Sequence, residues 1–295
     1  MRVAIFTDQS DWHTRRLRAA CRARGIAAQI VSLRRCAFVV GGGGSGLEMP
    51  GFADRLPDAA LVRTIAAGSF EQVTLRLGIL HALEALGVPV VNGARAIERC
   101  VDKSMTSFLL HRAGIPTPPT FASEDAALAQ RWLDGNPAER VQKPLFGSQG
   151  RGLVRFGAAD ALPPDDGCAG VRYLQRFVGR DTEWRDFRVM VAGGRPIAAM
   201  LRHGRSWITN VRRGARCEAL PLTDRLVAPS LAAAAAVEAD YAGIDLIEDG
   251  HGALFVLEVN SMPAWKGLQS VASCDIAGAI IDHVLARIDE GRSAA

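Results

Sequence analysis

The sequence predicts an α/β domain followed by α+β lobes, and three observations carry that reading. The first third alternates short apolar strands with helical patterns. The remainder pairs apolar runs across glycine-containing turns. A chain of 295 residues that is 48% hydrophobic can bury two or three packed lobes. Val3 to Thr7 reads as the first strand, followed by a helix from about Trp12 to Arg24 and strands over Ala27 to Ser32 and Ala60 to Arg63. A helix from Phe70 to Leu86 is next, with Phe70, Val73, Leu77 and Leu80 at helical spacing. Gly87 stops it before a strand over Val88 to Val91.

The run Gly41 to Gly46 suggests a phosphate cradle, but no Lys-Ser or Lys-Thr follows, so it reads as a flexible loop. No G-x-G-x-x-G opens a helix after a strand, and neither G-x-S-x-G nor H-E-x-x-H is present. Rossmann, α/β-hydrolase and zincin readings are set aside.

A helix over Asp102 to Ala113 is ended by Gly114 and Pro116, which reads as a domain boundary. A strand near Thr120, a helix from Glu124 to Leu133 and a strand from Glu139 to Lys143 lead into Pro144 to Gly152. In that loop Gly147, Gly150 and Gly152, with Ser148 and Gln149, let backbone N–H groups approach an anion, and Lys143 can set its ammonium on a phosphate. Turn geometry alone is the lesser alternative for such glycines. Val171 to Val178 is strand-like, and Trp184 to Val191 pairs with Pro196 to Leu201 around Gly193-Gly194. Trp207 to Val211 reads as another strand. Pro229 starts an Ala-rich helix, and the closing helix spans about Cys274 to Ile288.

No apolar segment is long enough to cross a bilayer, and the N-terminus lacks a signal peptide's cleavage region, so a cytoplasmic protein is expected. The six cysteines form no C-x-x-C pair, which argues against a zinc site or a disulfide framework. A net charge of +4 with dispersed arginines does not favour nucleic acid and is compatible with an anionic small substrate.

The chemistry concentrates in one predicted hairpin. Ala242 to Leu246 and Leu254 to Asn260 flank the polar turn Glu248 to Gly252, and Asp245 and Glu258 interrupt otherwise buried sequence. Ionised carboxylates among aliphatic side chains need a cation or donors. Mg²⁺ suits them, with the amide oxygen of Asn260 and nucleotide phosphates completing its oxygen shell. Strand alternation puts Glu258 and Asn260 on one face, Leu257 and Val259 on the other. Carboxylates solvated or paired with arginines are the alternative.

Several stretches taken together resemble the ATP-grasp ligases. They are Val62 to Thr74, Val91-Asn92, Asp102-Lys103-Ser104, the Lys143 to Gly152 loop, Asp186-Phe187-Arg188, Trp207 to Asn210, and Glu258 to Leu268. More narrowly the chain is similar to the glutamate ligases related to the enzyme that extends a small-subunit ribosomal protein, and among these to the tetrahydromethanopterin:α-L-glutamate ligase branch. The resemblance implies an ATP-grasp fold with an N-terminal α/β pre-ATP-grasp domain over 1–98, a lobe with the glycine-rich phosphate loop over 99–176, and a lobe with the metal site over 177–295.

By the same resemblance Lys103 and Lys143 would touch ATP phosphates, as would Ser148, Gln149 and Gly150 of the loop. Gln175, Arg176 and Phe177 would form the hinge beside the adenine, and Asp186 and Asn210 match nucleotide-site positions. Arg176 stands where relatives usually carry an acid. Arg188 and Arg202 would act at the reacting phosphate, and Asp245, Glu258 and Asn260 match ligands of two Mg²⁺ or Mn²⁺ ions. Arg63, Ser69 and Gln72 are candidates for a substrate carboxylate, with Ser69 equally readable as a helix N-cap. His203 reads as an exposed strand residue rather than the base that takes a proton from the amine.

The expected activity is ATP-dependent amide formation through an acyl phosphate, adding L-glutamate to a small carboxylated cofactor such as a pterin or furan one-carbon carrier. Alternatives are a glutamate ligase for a protein tail or amino-acid carrier, and a non-catalytic ATP-binding regulator. No nucleic acid or membrane partner is expected. Dimers or tetramers are common in the superfamily, so a homo-oligomer is compatible with the resemblance.

Overall fold

A parallel sheet sandwiched between helices forms the first part of the molecule. The structure, a computed structural model, describes residues 1–42, 44–147, 150–179 and 183–294. In chain order come β1 (Arg2–Phe6), α1 (Trp12–Ala23), β2 (Ala27–Val31), the short hairpin β3 (Ala37–Phe38) and β4 (Leu47–Glu48), β5 (Ala59–Val62), α2 (Phe70–Ala85) and β6 (Val90–Val91). The strands β2-β1-β5-β6 lie parallel in that order, the arrangement that alternating strands and helices favour. Alternate residues of β1 serve two cores: Val3 and Ile5 face one, Ala4 and Phe6 the other. The glycine run is the connection of the β3–β4 hairpin, where Val39 N donates to Gly46 O; Gly43 lies outside the described residues.

The second helix is where expected, and of its expected apolar face Leu80 is buried and Leu77 packs on the core, but Phe70 does not. Ile79, Leu80 and Leu83 are buried with Arg76, whereas Phe70 is 83% exposed. The first turn of α2 is exposed and carries a capping box formed by Ser69 and Gln72.

Next come α3 (Ala94–Val101) and α4 (Lys103–Arg112). The sequence gives no start signal for α3, because Gly93 at its N-cap has no side chain to offer. Glu84 of α2 supplies the missing acceptor by bonding the Ala94 N–H. A small lobe then contains β7 (Thr120–Ser123), α5 (Ala126–Asp134), β8 (Arg140–Lys143), β9 (Val154–Phe156) and β10 (Arg172–Arg176), in an antiparallel sheet ordered β7-β10-β8-β9. Its separate core consists of Ala129, Leu133, Phe156 and Leu174.

The largest sheet follows: β11 (Arg185–Ala192), β12 (Arg195–His203), β13 (Arg216–Leu220), α6 (Asp224–Ala236), β14 (Tyr241–Glu248), β15 (Leu254–Asn260), α7 (Lys266–Gln269) and α8 (Ile276–Ala294), with strand order β13-β12-β11-β14-β15. Trp207 to Val211 is loop rather than strand; Asn210 caps a 3₁₀ turn over Val211–Arg213, and the strand lies at β13. The helix expected at Pro229 starts at Asp224, whose carboxylate suits a helix N-terminus, and Pro229 lies inside it.

One face of this sheet packs on α6 through Phe187, Val189, Leu201, Ile244, Leu246, Val256 and Val259, with Leu110 and Ile115 from the α4 segment. At its apolar end the other face, through Met190, Met200, Tyr241 and Trp265, joins Val3, Ile5 and α8 in a single core. The first domain and the last lobe are thus packed as one body. Asn92, fully buried, stitches them: its Nδ2 donates to Tyr241 O (2.7 Å) and Ser261 O, and its Oδ1 accepts from Tyr241 N (2.9 Å). Tyr241 Oη donates to Val62 O at 2.6 Å.

Replacing Asn92 by Leu keeps the volume but leaves three buried backbone groups unpaired. Each orphan costs ~1–3 kcal/mol, partly relieved by relaxation. A loss of about 3 kcal/mol in urea-unfolding stability is expected, and an unchanged midpoint contradicts this role.

Candidate active site

On β11 the residues alternate: Phe187 and Val189 enter the core, so Asp186 and Arg188 stand on the opposite face. Strand register then sets a row of cross-strand charge pairs. Asp186 lies opposite Arg202, Arg188 opposite Asp245, and Asp245 opposite Glu258. Arg202 Nε and Nη2 grip Asp186 (2.6 and 2.5 Å), and Arg188 Nε and Nη2 grip Asp245 (both 2.6 Å). Arg202 Nη2 also stands 3.1 Å from Asp245 Oδ1, joining the two pairs. Gly243 lets Pro263 of the loop after β15 approach the sheet beside Arg188; a Cβ there would fall 2.9 Å from Pro263 Cβ.

Burial pushes both aspartates up, with opposite outcomes. Asp245 faces two guanidiniums, which overcome burial and hold its carboxyl at about 2. Asp186 shares its single guanidinium with Asp245 and remains raised. Thr209 Oγ1 adds a hydrogen bond to Asp186 at 2.7 Å.

Glu258 and Asn260 share this face through a bulge. The pairing shifts between Asp245 and Leu246, leaving Leu257 as an extra residue. Strict alternation, which would have put Leu257 beside Val259, fails: Val256 and Val259, three apart, both enter the core, while Leu257 is only partly buried. Asn260 Nδ2 donates to Glu258 Oε1 (3.0 Å) and Gly243 O (3.3 Å). The Glu258 carboxyl is within hydrogen-bond reach of Asp245.

Among the described residues no three His, Cys, Asp or Glu side chains form a ready-made metal cluster. The donor set still fits a hard cation that completes its shell with phosphate oxygens. Two carboxylates in contact need a positive charge or a proton between them, and Asn260, with its amide hydrogens engaged, has its oxygen to offer. Of the expected ligands, Asp245 departs from expectation: its oxygens are taken by Arg188 and Arg202, the arginine pairing that the sequence left open.

Two lysines approach from the other lobe. Asp102 caps α4, accepting from Ser104 N (2.8 Å) and Met105 N (3.1 Å), and so places Lys103 in the first turn. Lys103 Nζ donates to Leu145 O and Gly147 O (both 3.0 Å), reaching into the glycine loop. Lys143 Nζ donates to Gln175 Oε1 at 2.6 Å; burial lowers its pKa to about 8 against the opposing pull of Glu258. Buried Gln175 is fixed in turn by Thr120 Oγ1 and Tyr173 Oη. Gly150, at φ +67°, packs so closely on Ile208 that a Cβ would lie 2.6 Å from its Cγ2, and Arg213 Nη2 bonds Gly150 O at 2.8 Å. Ser148 and Gln149 lie outside the described residues.

At the expected hinge the Phe177 N–H donates to Glu139 O (2.8 Å), so that backbone donor is already engaged. Its ring lies beneath Arg155, whose carbon Cζ is 3.8 Å from the ring centroid, and edge-on to Trp184 and Trp207. Sequence reasoning missed Arg155, which is doubly bonded to Glu139. Arg176 leans toward Phe255 (5.9 Å), and Asn210 Oδ1 caps the 3₁₀ turn by accepting from Arg212 N.

The three first-domain candidates separate. Ser69 and Gln72 form a reciprocal capping box on α2 and are exposed; this is the N-cap reading. Arg63 is 5% exposed, donates from Nη1 to Met262 O (3.2 Å) and lies over Trp265. It therefore lies beneath the loop after β15 and is covered by it. Asp11 and His13, which the sequence did not single out, join that cluster. His203 is paired with Glu218 at the surface (3.0 Å). All six cysteines are free, and among the described residues no helix is long and apolar enough to cross a membrane.

Comparison with known proteins identifies the family. The RimK PreATP-grasp domain matches residues 1–97 and the RimK-like ATP-grasp domain residues 100–284. Tetrahydromethanopterin:alpha-L-glutamate ligase of Methanococcus maripaludis is 34% identical over 97% of this chain and 98% of its own length. The Methanosarcina acetivorans enzyme of the same name is 31% identical over 96% and 97%. A probable alpha-L-glutamate ligase of Thioalkalivibrio sulfidiphilus is 30% identical over 96% and 95%. Among solved structures, the ATP-grasp ligase PsnB complexed with minimal precursor, Mg and ADP superposes with a TM-score of 0.74 at 23% identity over 97% of this chain and 98% of that one. The chain belongs to the RimK-like ATP-grasp family and is an ATP-grasp ligase.

Proposed function

We propose that this ligase adds L-glutamate to a small carboxylated cofactor, a pterin or furan one-carbon carrier, using ATP. The observation that carries the ligase chemistry is the buried row Asp186–Arg202–Asp245–Arg188 beside Glu258, with Lys103 and Lys143 in its field. The identity of about a third with tetrahydromethanopterin:alpha-L-glutamate ligases over nearly the whole chain supports the substrate class.

A carboxylate is a poor electrophile, so the acceptor carboxylate takes the γ-phosphoryl group of ATP and releases ADP. The glutamate amine then attacks the acyl phosphate, and inorganic phosphate leaves. Lys103 and Lys143 hold the ATP phosphates. Arg202 is oriented by two carboxylates through Nε and Nη2, which leaves Nη1 to bind the acyl phosphate; Arg188 balances charge beside it. Glu258 and Asn260 would hold Mg²⁺ or Mn²⁺, with two ions as the working number, and Asp245 stays paired with Arg188 and Arg202. The metal, when bound, neutralises phosphate charge as ADP departs. Asp186 positions Arg202, and Gln175, Arg176 and Phe177 border the adenine.

With ATP, Mg²⁺, L-glutamate and tetrahydromethanopterin or a related carrier, the expected products are ADP and an acceptor heavier by one glutamyl unit. Glutamylated tail peptides in a mass spectrum, without a modified cofactor, would shift the acceptor to a protein. No ADP with any acceptor would favour a non-catalytic nucleotide-binding role. Glu258→Gln should reduce ADP formation by at least about 10²-fold, as loss of a group stabilising transferring phosphate does, with the melting temperature nearly unchanged. Normal turnover in that variant refutes the metal assignment. Gly150→Val, which introduces a Cβ 2.6 Å from Ile208 at a positive φ, should displace the loop and weaken MgATP binding about tenfold in calorimetry. Wild-type affinity would show that the loop does not bear on phosphate.

A further inference from the structure

The loop from Ser261 to Leu268 leaves β15 directly after Asn260, and Arg188 Nη1 donates to Ala264 O at 3.3 Å, so it borders the charged row. Its position depends on the first domain. His13 in the first turn of α1 is 8% exposed, and its Nε2 accepts from Trp265 N (3.1 Å) and Lys266 N (3.3 Å). Two N–H donors on Nε2 require that nitrogen to be unprotonated, so the proton sits on Nδ1, 2.9 Å from Asp11 Oδ2. Asp11 is itself fixed by Thr14 N and Thr14 Oγ1. The imidazole packs edge-on to Trp265 at 4.7 Å.

The closed loop also carries a cost. Arg63 Nε and the indole Nε1 of Trp265 are buried without an acceptor among the described residues. Orphaned donors of this kind oppose closure, so the loop stays down only while other contacts hold it. Lys266 is exposed beside the clasp and offers an ammonium to an anion.

We propose that His13, oriented by Asp11, is the positioning residue that sets the Ser261–Leu268 loop, and with it Lys266, for the carboxylate of the amine substrate. This rests on the ligase reading above. The groups facing His13 are Asp11 at the start of α1, Arg63 after β5 and Lys266 on the loop. Burial, then the Arg63 charge, lower its pKa against the pull of Asp11. A cationic imidazole would have no acceptor for the two loop N–H groups. Because the folded-state value lies below the unfolded one of about 6.5, the unfolded chain takes the proton first. The stabilisation from the clasp is therefore full above about 6.5 and is lost as pH falls through the lowered folded-state value.

Two variants and two readouts test this. His13→Phe fills the ring volume without an acceptor; it should raise the KM for L-glutamate about tenfold or more, with the KM for MgATP unchanged. His13→Gln, whose amide oxygen can accept the same N–H groups, should keep the KM and abolish its rise at acid pH. An unchanged glutamate KM in His13→Phe, or an acid rise surviving in His13→Gln, overturns the proposal. Tryptophan emission of the wild type should change as pH falls below about 6.5, and Trp265→Phe and His13→Gln should remove the change. A flat wild-type profile also overturns it. If the emission change appears but no acceptor supports ADP release, the clasp stands and the ligase reading falls.

Discussion

A guanidinium held between two carboxylates on neighbouring strands is the interaction on which the rest of the molecule depends. Arg202, Asp186 and Asp245 are all nearly solvent-free, and an unpaired charge in such a place costs several kcal/mol. The row is tolerable only if β11, β12 and β14 keep the register that brings its members opposite one another. Register in turn commits the opposite face, since a slip of one residue would carry Phe187, Val189 and Ile244 out of the core. Hydrophobic packing on one face and charge pairing on the other therefore enforce the same alignment.

The same face changes character along its strands. Met190, Met200 and Tyr241 are apolar and fuse with the first domain; a few residues on, Arg188, Arg202 and Asp245 are charged and paired with one another. The first domain is thereby packed against the back of the site. The lobe carrying β8 and β10 has only a small core of its own, Ala129, Leu133, Phe156 and Leu174, and meets the site through Lys103, Lys143 and the glycine loop.

Much of this could be read from the residues, for identifiable reasons. Asp245 and Glu258 stood out because carboxylates break apolar runs, and β11 with β12 because both runs flank Gly193-Gly194. The capping alternative for Ser69 was visible locally, and the structure realises it. What was hidden depends on distant partners. Nothing near His13 announces Trp265, 252 residues away, and nothing near Gly93 announces that Glu84 will cap the helix there. Trp207 to Val211 resembled a strand because its aromatic and β-branched residues suit one. They are instead packing groups: Ile208 abuts Gly150, and Trp207 abuts Phe177.

The extra residue at Leu257 has a consequence for how the last strand can vary. Upstream of it, Val256 follows one alternation; downstream, Val259 and Glu258 follow the opposite one. The strand is thus two half-strands joined out of phase; the core anchors each half through one valine, and the downstream half alone carries the acidic site. Without Leu257 the strand would alternate regularly and keep Glu258 on the acidic face, whereas pairing straight through Leu257 with no bulge would turn the carboxylate toward the core. The two-against-one pairing at Leu257, more than the length of β15, is what keeps the carboxylate on its face.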